Sequence, residues 1–265
     1  TLSLPKTLTL TKKDGGATED VNVTWNTEGV DFDAQPYTYL NLTGALEGHS
    51  DIQATATVQV VPKNIEYMID CNNANSQTFK NLQAAGIKSM VNTVADQKKA
   101  EDNTWGYVGE YGAYNSENIQ DAYAAAWYQT NVQYTITLPA GTHTIMVGSN
   151  ELWAQWNATR KSAVYYTVDG EEQKLADLNL SANKGVATGE ITLSTEKEVT
   201  ISVKKVTGNE AIVNWITVCG DFGSSEEALA DLKTSVQKYQ TKIEGKEYTT
   251  TTKAVFDQAV ADAQK

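Results

Sequence analysis

The feature that most constrains this chain is a two-residue hydrophobic alternation, repeated in short runs along most of its length. "TLTLT", "VNVTW", "NVQYTITL", "AVYYTV" and "VTISV" each place apolar or β-branched side chains at every second position. That spacing lays one apolar row along one face of a β-strand, and a helix with 3.6 residues per turn cannot use it. Turn residues separate the runs, as in Asp14–Gly15–Gly16, Pro139–Ala140–Gly141 and Asp169–Gly170. Many short strands joined by Gly- and Asx-containing turns predict antiparallel sheets packed as β-sandwiches.

The pattern divides the chain into three segments. Residues 1–62 read as four or five short strands, with Val21, Val23 and Trp25 facing one way. Residues 63–222 open on the strand "NIEYMIDC" and carry most of the later alternating runs. Between them, Phe79, Leu82, Ile87, Met90, Val91 and Val94 recur at helical spacing, interrupted by Gly86. One or two short helices within 76–100 are therefore expected, laid over a sheet. Residues 223–265 change period altogether. Leu229, Leu232, Val236, Tyr239 and Ile243 form one stripe and Val255, Phe256, Ala259 and Ala263 another, which predicts a C-terminal α-helical pair. Two such helices need each other, or a docking surface, to be stable.

The quoted stretches also carry resemblances. "LPKTLTL", "DGGATEDVNVTWN", "LTGALEG" and "ATATVQVVP" resemble the bacterial immunoglobulin-like domain of large secreted glycosidases. "VQYTITLPAGTHTIMVGSNELW", "RKSAVYYTVDGE" and "AIVNWITVCG" resemble malectin-like and other galactose-binding-like jelly rolls, which serve such enzymes as carbohydrate-binding modules. "YTTTTKAVFDQAVADAQK" resembles part of a FIVAR-type helical repeat. The implied architecture is mainly all-β: a small immunoglobulin-like β-sandwich at 1–62, a jelly-roll β-sandwich with a short helical insert at 63–222, and a partial helical repeat at 223–265. The implied setting is a monomeric piece of a longer secreted or cell-surface bacterial protein, with an oligo- or polysaccharide as partner. The family's folds imply two further features. Cys71 and Cys219, on the first and last strands of the jelly roll, are placed for a disulfide, with two buried thiols as the alternative. A structural Ca2+ would draw on Asp70, Asn72, Asn73 and Asp221.

Binding a sugar requires flat apolar rings for its C–H face and fixed polar groups for its hydroxyls. Two aromatic loops supply candidates. One carries Trp105, Tyr107, Tyr111 and Tyr114; the other carries Asn150, Glu151, Trp153, Trp156 and Arg160. Both are expected at the same end of the jelly roll, with Trp153 either beside the sugar or anchoring its loop. Trp25, Trp127 and Trp215 read as core residues.

Composition narrows the alternatives. Lys and Arg number 21 against 33 Asp and Glu, a net charge of −12 that repels phosphate backbones and anionic membranes. No apolar run is long enough for a membrane-spanning helix. Two Cys and two His leave little material for a zinc site or a histidine triad. Glu110, Glu117, Asp121 and Glu151 offer carboxylates, yet no spacing singles out a glycosidase pair. The expectation is a non-catalytic fragment of a glycoside hydrolase. A structural spacer or protein-interaction module of a cell-surface protein, binding no sugar, is the alternative.

Overall fold

A computed structural model of the chain describes residues 4–11, 16–73, 76–85, 96–116, 121–151, 153, 160–180 and 183–221. The expected helical pair at 223–265 lies outside the described residues, as do Ile87, Met90, Val91, Val94 and Trp156. The described chain is almost entirely β, arranged in several antiparallel sheets.

The first sheet is a meander of β1 (Thr7–Thr11), β2 (Thr18–Asn26), β3 (Tyr39–Leu46) and β4 (His49–Gln59), paired in that order. Strand β2 changes partner part-way. Thr18–Asn22 pairs with β1, and Val23–Asn26 pairs with β3. Its alternation buries Val21 and Val23 against Leu46 and Ala54. Trp25 packs on this small core and donates from Nε1 to the Pro5 carbonyl at 2.8 Å. Gly44 lies beneath the indole, where a Cβ would come within 3.0 Å of the ring.

The larger unit comprises β5 (Ile65–Asp70), helix α1 (Gln77–Ala84), β6 (Trp105–Tyr107), β7 (Gly112–Asn115), β8 (Ala125–Gln129), β9 (Asn131–Leu138), β10 (Gly141–Asn150), β11 (Lys161–Val168), β12 (Glu171–Leu178), β13 (Lys184–Leu193), β14 (Lys197–Thr207), β15 (Ala211–Val213) and β16 (Trp215–Asp221). A four-stranded sheet, β13-β10-β16-β5, faces a five-stranded sheet, β12-β11-β14-β9-β6. Between them lie Tyr67, Ile69, Ile145, Val147, Ile216 and Val218 from one sheet, and Val132, Tyr134, Ile136, Val199, Ile201 and Val203 from the other. Full burial of side chains of this kind is worth about 1.5–3 kcal/mol each, so the two-residue period is what holds the sandwich together. The Asp169–Gly170 turn joins β11 to β12 with φ of 53° and 85°. Both residues are left-handed, as a two-residue hairpin demands. A third sheet, β15-β8-β7, closes one end.

A second core lies on the outer face of the four-stranded sheet. Helix α1, capped by Ser76 accepting from the Phe79 N–H at 3.1 Å, lays Phe79 and Leu82 over Met68, Trp215 and Cys219. The helix ends at Ala84. Residues 97–99 are extended and bridge to Tyr107, so the helical expectation up to residue 100 does not hold at its far end.

The expected first-to-last strand pairing is present, since β5 and β16 are neighbours. The disulfide is not: Cys71 and Cys219 are both free and buried. The pair is antiparallel, with Asp70 opposite Trp215 and Ile65 opposite Cys219. The two cysteines therefore sit at opposite ends of the ladder, roughly 15 Å apart, beyond disulfide reach. They also face different layers, Cys71 the main core and Cys219 the second core. The same register separates Asp70 from Asp221, so the four expected calcium ligands do not converge. Among the described residues, no group of three or more His, Cys, Asp or Glu is placed to hold an ion.

Candidate functional site

At the end of the sandwich where β10 runs out, three aromatic rings meet: Tyr114 of β7, Tyr128 of β8, and Trp153. Alternation explains the first two. Within β8, Trp127 packs on the main core, so its neighbour Tyr128 turns to the other face. Across the ladder Gly112 stands opposite Tyr128 and Tyr114 opposite Ala126, which puts both tyrosines on that same face. Gly112 is needed there. A Cβ on it would come within 2.3 Å of the Tyr128 ring. The Trp153 ring centroid lies 4.8 Å from that of Tyr114 at 71°, and 5.4 Å from that of Tyr128 at 83°. Such edge-to-face contacts are the preferred geometry for aromatic pairs. All three side chains are half-buried.

A buried polar network supports this end. Glu151 Oε2 accepts from Arg160 Nε at 2.6 Å, and Glu151 Oε1 accepts from the Trp153 main-chain N–H at 3.1 Å. Arg160 also donates from Nη1 to the Glu210 carbonyl. The Glu151 N–H donates to the Asn183 carbonyl at 2.7 Å. Asn214 accepts from the Asn150 N–H at 2.7 Å and donates to the carbonyls of Tyr123 and Ala125. A charge withdrawn from water must be paired and hydrogen-bonded, and this pair is.

A second hub lies behind β8. Asp96 accepts from the N–H groups of Asn72 (2.6 Å) and Gln97 (2.8 Å), from Trp127 Nε1 (2.7 Å) and from Tyr134 Oη (3.0 Å). Burial pushes its carboxyl up to about 6 against the pull of these donors. Asp70, at the end of β5, is pushed up to about 7 by burial, with Ser76 pulling the other way and the charges of Asp96 and Asp121 adding to the rise. Asn72 then carries the hub forward, donating from Nδ2 to the carbonyls of Tyr114 and Ala126.

The expected site residues divide as follows. Tyr114 and Trp153, from the two different loops, do come together. Trp105 does not join them. It is 2% exposed, opposite Ile136 in the main core, because β6 pairs with β9 and turns it inward. Tyr107 and Tyr111 pack with Trp127 in a separate cluster, with centroids 5.2 Å (Tyr107–Trp127) and 6.1 Å (Tyr111–Trp127) apart. The Tyr111 hydroxyl is engaged by the Val108 carbonyl and the Gln133 main chain. Asn150, Glu151 and Arg160 are all buried, and the Glu151 carboxylate and Arg160 guanidinium are paired with each other, so these two are not placed as hydroxyl ligands. Trp215 is a core residue, as its alternation implied, and Trp127 packs on the main core while staying partly exposed. Of the carboxylates, Glu110 pairs with Lys98 at 2.5 Å, Asp121 caps the Tyr123 N–H at 2.8 Å, and Glu117 lies outside the described residues. Tyr128 was not foreseen, although the Ala-Trp-Tyr-Gln alternation opposite Gly112 encodes it.

No protein-family model matches the chain, and no curated protein matches it. Among solved structures the chain is similar to a β-glucuronidase of Bacteroides uniformis, at 16% identity and a TM-score of 0.42, over 80% of this chain and 24% of that one. It is similar to the plant receptor-like kinase FER at 8% identity and a TM-score of 0.41, over 71% of this chain and 65% of that one. It is also similar to a family 35 carbohydrate binding module from Clostridium thermocellum, at 12% identity and a TM-score of 0.27, over 46% of this chain and 90% of that one. The chain spans about a quarter of the length of the glucuronidase. These likenesses are partial and remote, and the chemistry of the site rests on its own residues.

Proposed function

We propose that the chain is a non-catalytic carbohydrate-binding module that works outside the cell as part of a larger glycoside hydrolase. The observation that carries this reading is the cradle of Tyr114, Trp153 and Tyr128, set at 71° and 83° on a rigid strand pair and a buried ion pair. Half-buried aromatic rings offer apolar faces to the C–H side of a pyranose at little entropic cost, because packing already holds them. Rings set at steep angles cannot lie together on a flat crystalline surface. They suit one sugar unit, or the twisted end of a soluble chain. A site this small supports roughly micromolar to millimolar affinity. Function then comes from tethering, since a weak module raises the effective concentration of an attached catalytic domain on a polymeric substrate.

The internal pairing of Glu151 with Arg160 favours a second reading, because it leaves fewer side chains to select hydroxyls. In that reading the sandwich is structural and binds no sugar. A glycan-array screen of the chain beside Trp153→Ala and Tyr128→Ala decides between them. Binding that both substitutions abolish, with melting temperatures kept, is the expected result. Retention on no glycan would favour the structural reading.

A further inference from the structure

Tyr37 lies in the first segment of the chain, yet its side chain belongs to the second core of the jelly-roll unit. It is 1% exposed. Its hydroxyl lies 2.6 Å from Thr217 Oγ1 of β16, and its ring meets Trp215 edge-on with centroids 4.9 Å apart at 88°. Its backbone adopts φ of 66°, a left-handed conformation that an aromatic residue takes only when its surroundings impose it. The Tyr37 N–H donates to the Val60 carbonyl at 2.8 Å, which ties this bend to the end of β4. Gln59 adds a second anchor, donating from Nε2 to Thr78 Oγ1 of α1 at 2.8 Å and to the Tyr37 carbonyl at 3.2 Å. Val61 packs on the same core.

The two sides of this contact are unequal. The sandwich has an extensive core of its own. Among the described residues, the first sheet's own cluster is Val21, Val23, Leu46 and Ala54, with Leu8, Leu10 and Trp25 at the margin, and Leu42 of β3 is buried outside that cluster. A sheet of about 60 residues with so small a core is marginal by itself. Helix α1 is eight residues long, also too short to stand without packing. The Tyr37 socket is where both gain the burial they lack.

We infer that residues 4–62 are a dependent lobe whose stability is drawn from the outer face of the four-stranded sheet, through the insertion of Tyr37 between Trp215, Thr217 and α1. The outer face of the four-stranded sheet is thus the docking site of the chain's own first sheet. The lobe and the sandwich move as one body, and the lobe opens alone only when Tyr37 leaves its socket.

Amide hydrogen exchange on the full chain tests this, with Tyr37→Ala and Tyr37→Phe beside the parent. Removing a buried aromatic ring should speed exchange of β3 and β4 amides on the order of 100-fold or more. Amides of β9 and β14 should stay within roughly threefold of the parent, because they open with the sandwich core. Tyr37→Phe keeps the ring and loses only the hydroxyl bond, so a change of about 5–10-fold is expected in the same strands. Unchanged protection of β3 and β4 in Tyr37→Ala would overturn the inference in favour of two independent domains. Equal loss in β3, β4, β9 and β14 would overturn it the other way, making Tyr37 an ordinary core residue of one undivided domain.

Discussion

Arg160 Nε lies 2.6 Å from Glu151 Oε2, and their side chains are 4% and 0% exposed. A buried pair of this kind contributes little relative to an apolar substitute, but breaking it strands a charge. Glu151→Ala or Arg160→Ala alone should cost about 3–5 kcal/mol in urea unfolding. The double change Glu151→Leu/Arg160→Met should recover much of that loss. A double variant as unstable as the worse single one would show that the hydrogen bonds to Trp153 and Glu210, and not the charges, dominate.

Stability should fall as pH rises from about 4 to about 7. Asp70 is raised to about 7 and Asp96 to about 6, both by burial, so the native state holds protons that the unfolded chain releases near 4. A native state with more bound protons loses stability with rising pH. Asp70→Asn removes the larger of these titrations while keeping the shape. Its melting temperature should exceed the parent's at pH 8 and match it near pH 4. A parent whose stability rises over this interval would contradict the assignment.

His143 acts in the same direction at higher pH. Burial works to lower its pKa, but Glu66 at 2.7 Å and the Pro139 carbonyl at 2.9 Å outweigh it, and the net shift is upward. Its contribution is complete below the unfolded value of about 6.5 and is lost as pH rises through the higher native value. His143→Gln should flatten the pH dependence above about 6.5. NMR titration of the imidazole gives the native value directly.

The two thiols should be inert in the folded chain. Burial raises Cys71, helped by the charge of Asp96, and pushes Cys219 up to about 12. Reactivity requires an accessible thiolate. A thiol reagent should therefore label neither residue natively and both in denaturant, with identical mobility in reducing and non-reducing gels. Native labelling of either would contradict the burial.

Gly112→Ala should separate binding from folding. The added Cβ meets the half-buried Tyr128 ring, which can swing outward, so the loss of stability should stay near 1 kcal/mol. Glycan capture should weaken about tenfold, as the loss of one contact worth ~1.4 kcal/mol implies. Calorimetric titration of the variant against the parent measures it.

What the sequence revealed depended on range. Alternation and the Asp169–Gly170 turn are local, and the strands of the sandwich follow from them. The pairing of Tyr114 with Trp153 was legible as two aromatic loops at one end. The burial of Glu151 and Arg160 was not, because two charges in a polar stretch look like solvent-facing groups until their partners are known. Of the two readings of the cysteines, the buried free thiols hold for a geometric reason: β5 and β16 are adjacent, but their direction puts the two thiols at opposite ends. Tyr37 was hidden by distance. Its partner Thr217 is 180 positions away, and nothing in "PYTYL" marks the first tyrosine as different from the second.

The antiparallel pairing of β5 with β16 also has a mechanical consequence. β5 begins at Ile65 and β16 ends at Asp221, side by side at the end remote from Trp153. A load transmitted along the chain would pull the two strands apart from that end, stressing their cross-strand bonds one after another like a zipper and not all at once in shear. Tyr37 packs against Thr217 and Trp215 on the outer side of that seam, so its contacts would have to break as the zipper reached them. Under such a load the aromatic cradle, at the far end of the seam, is the last part to feel the strain.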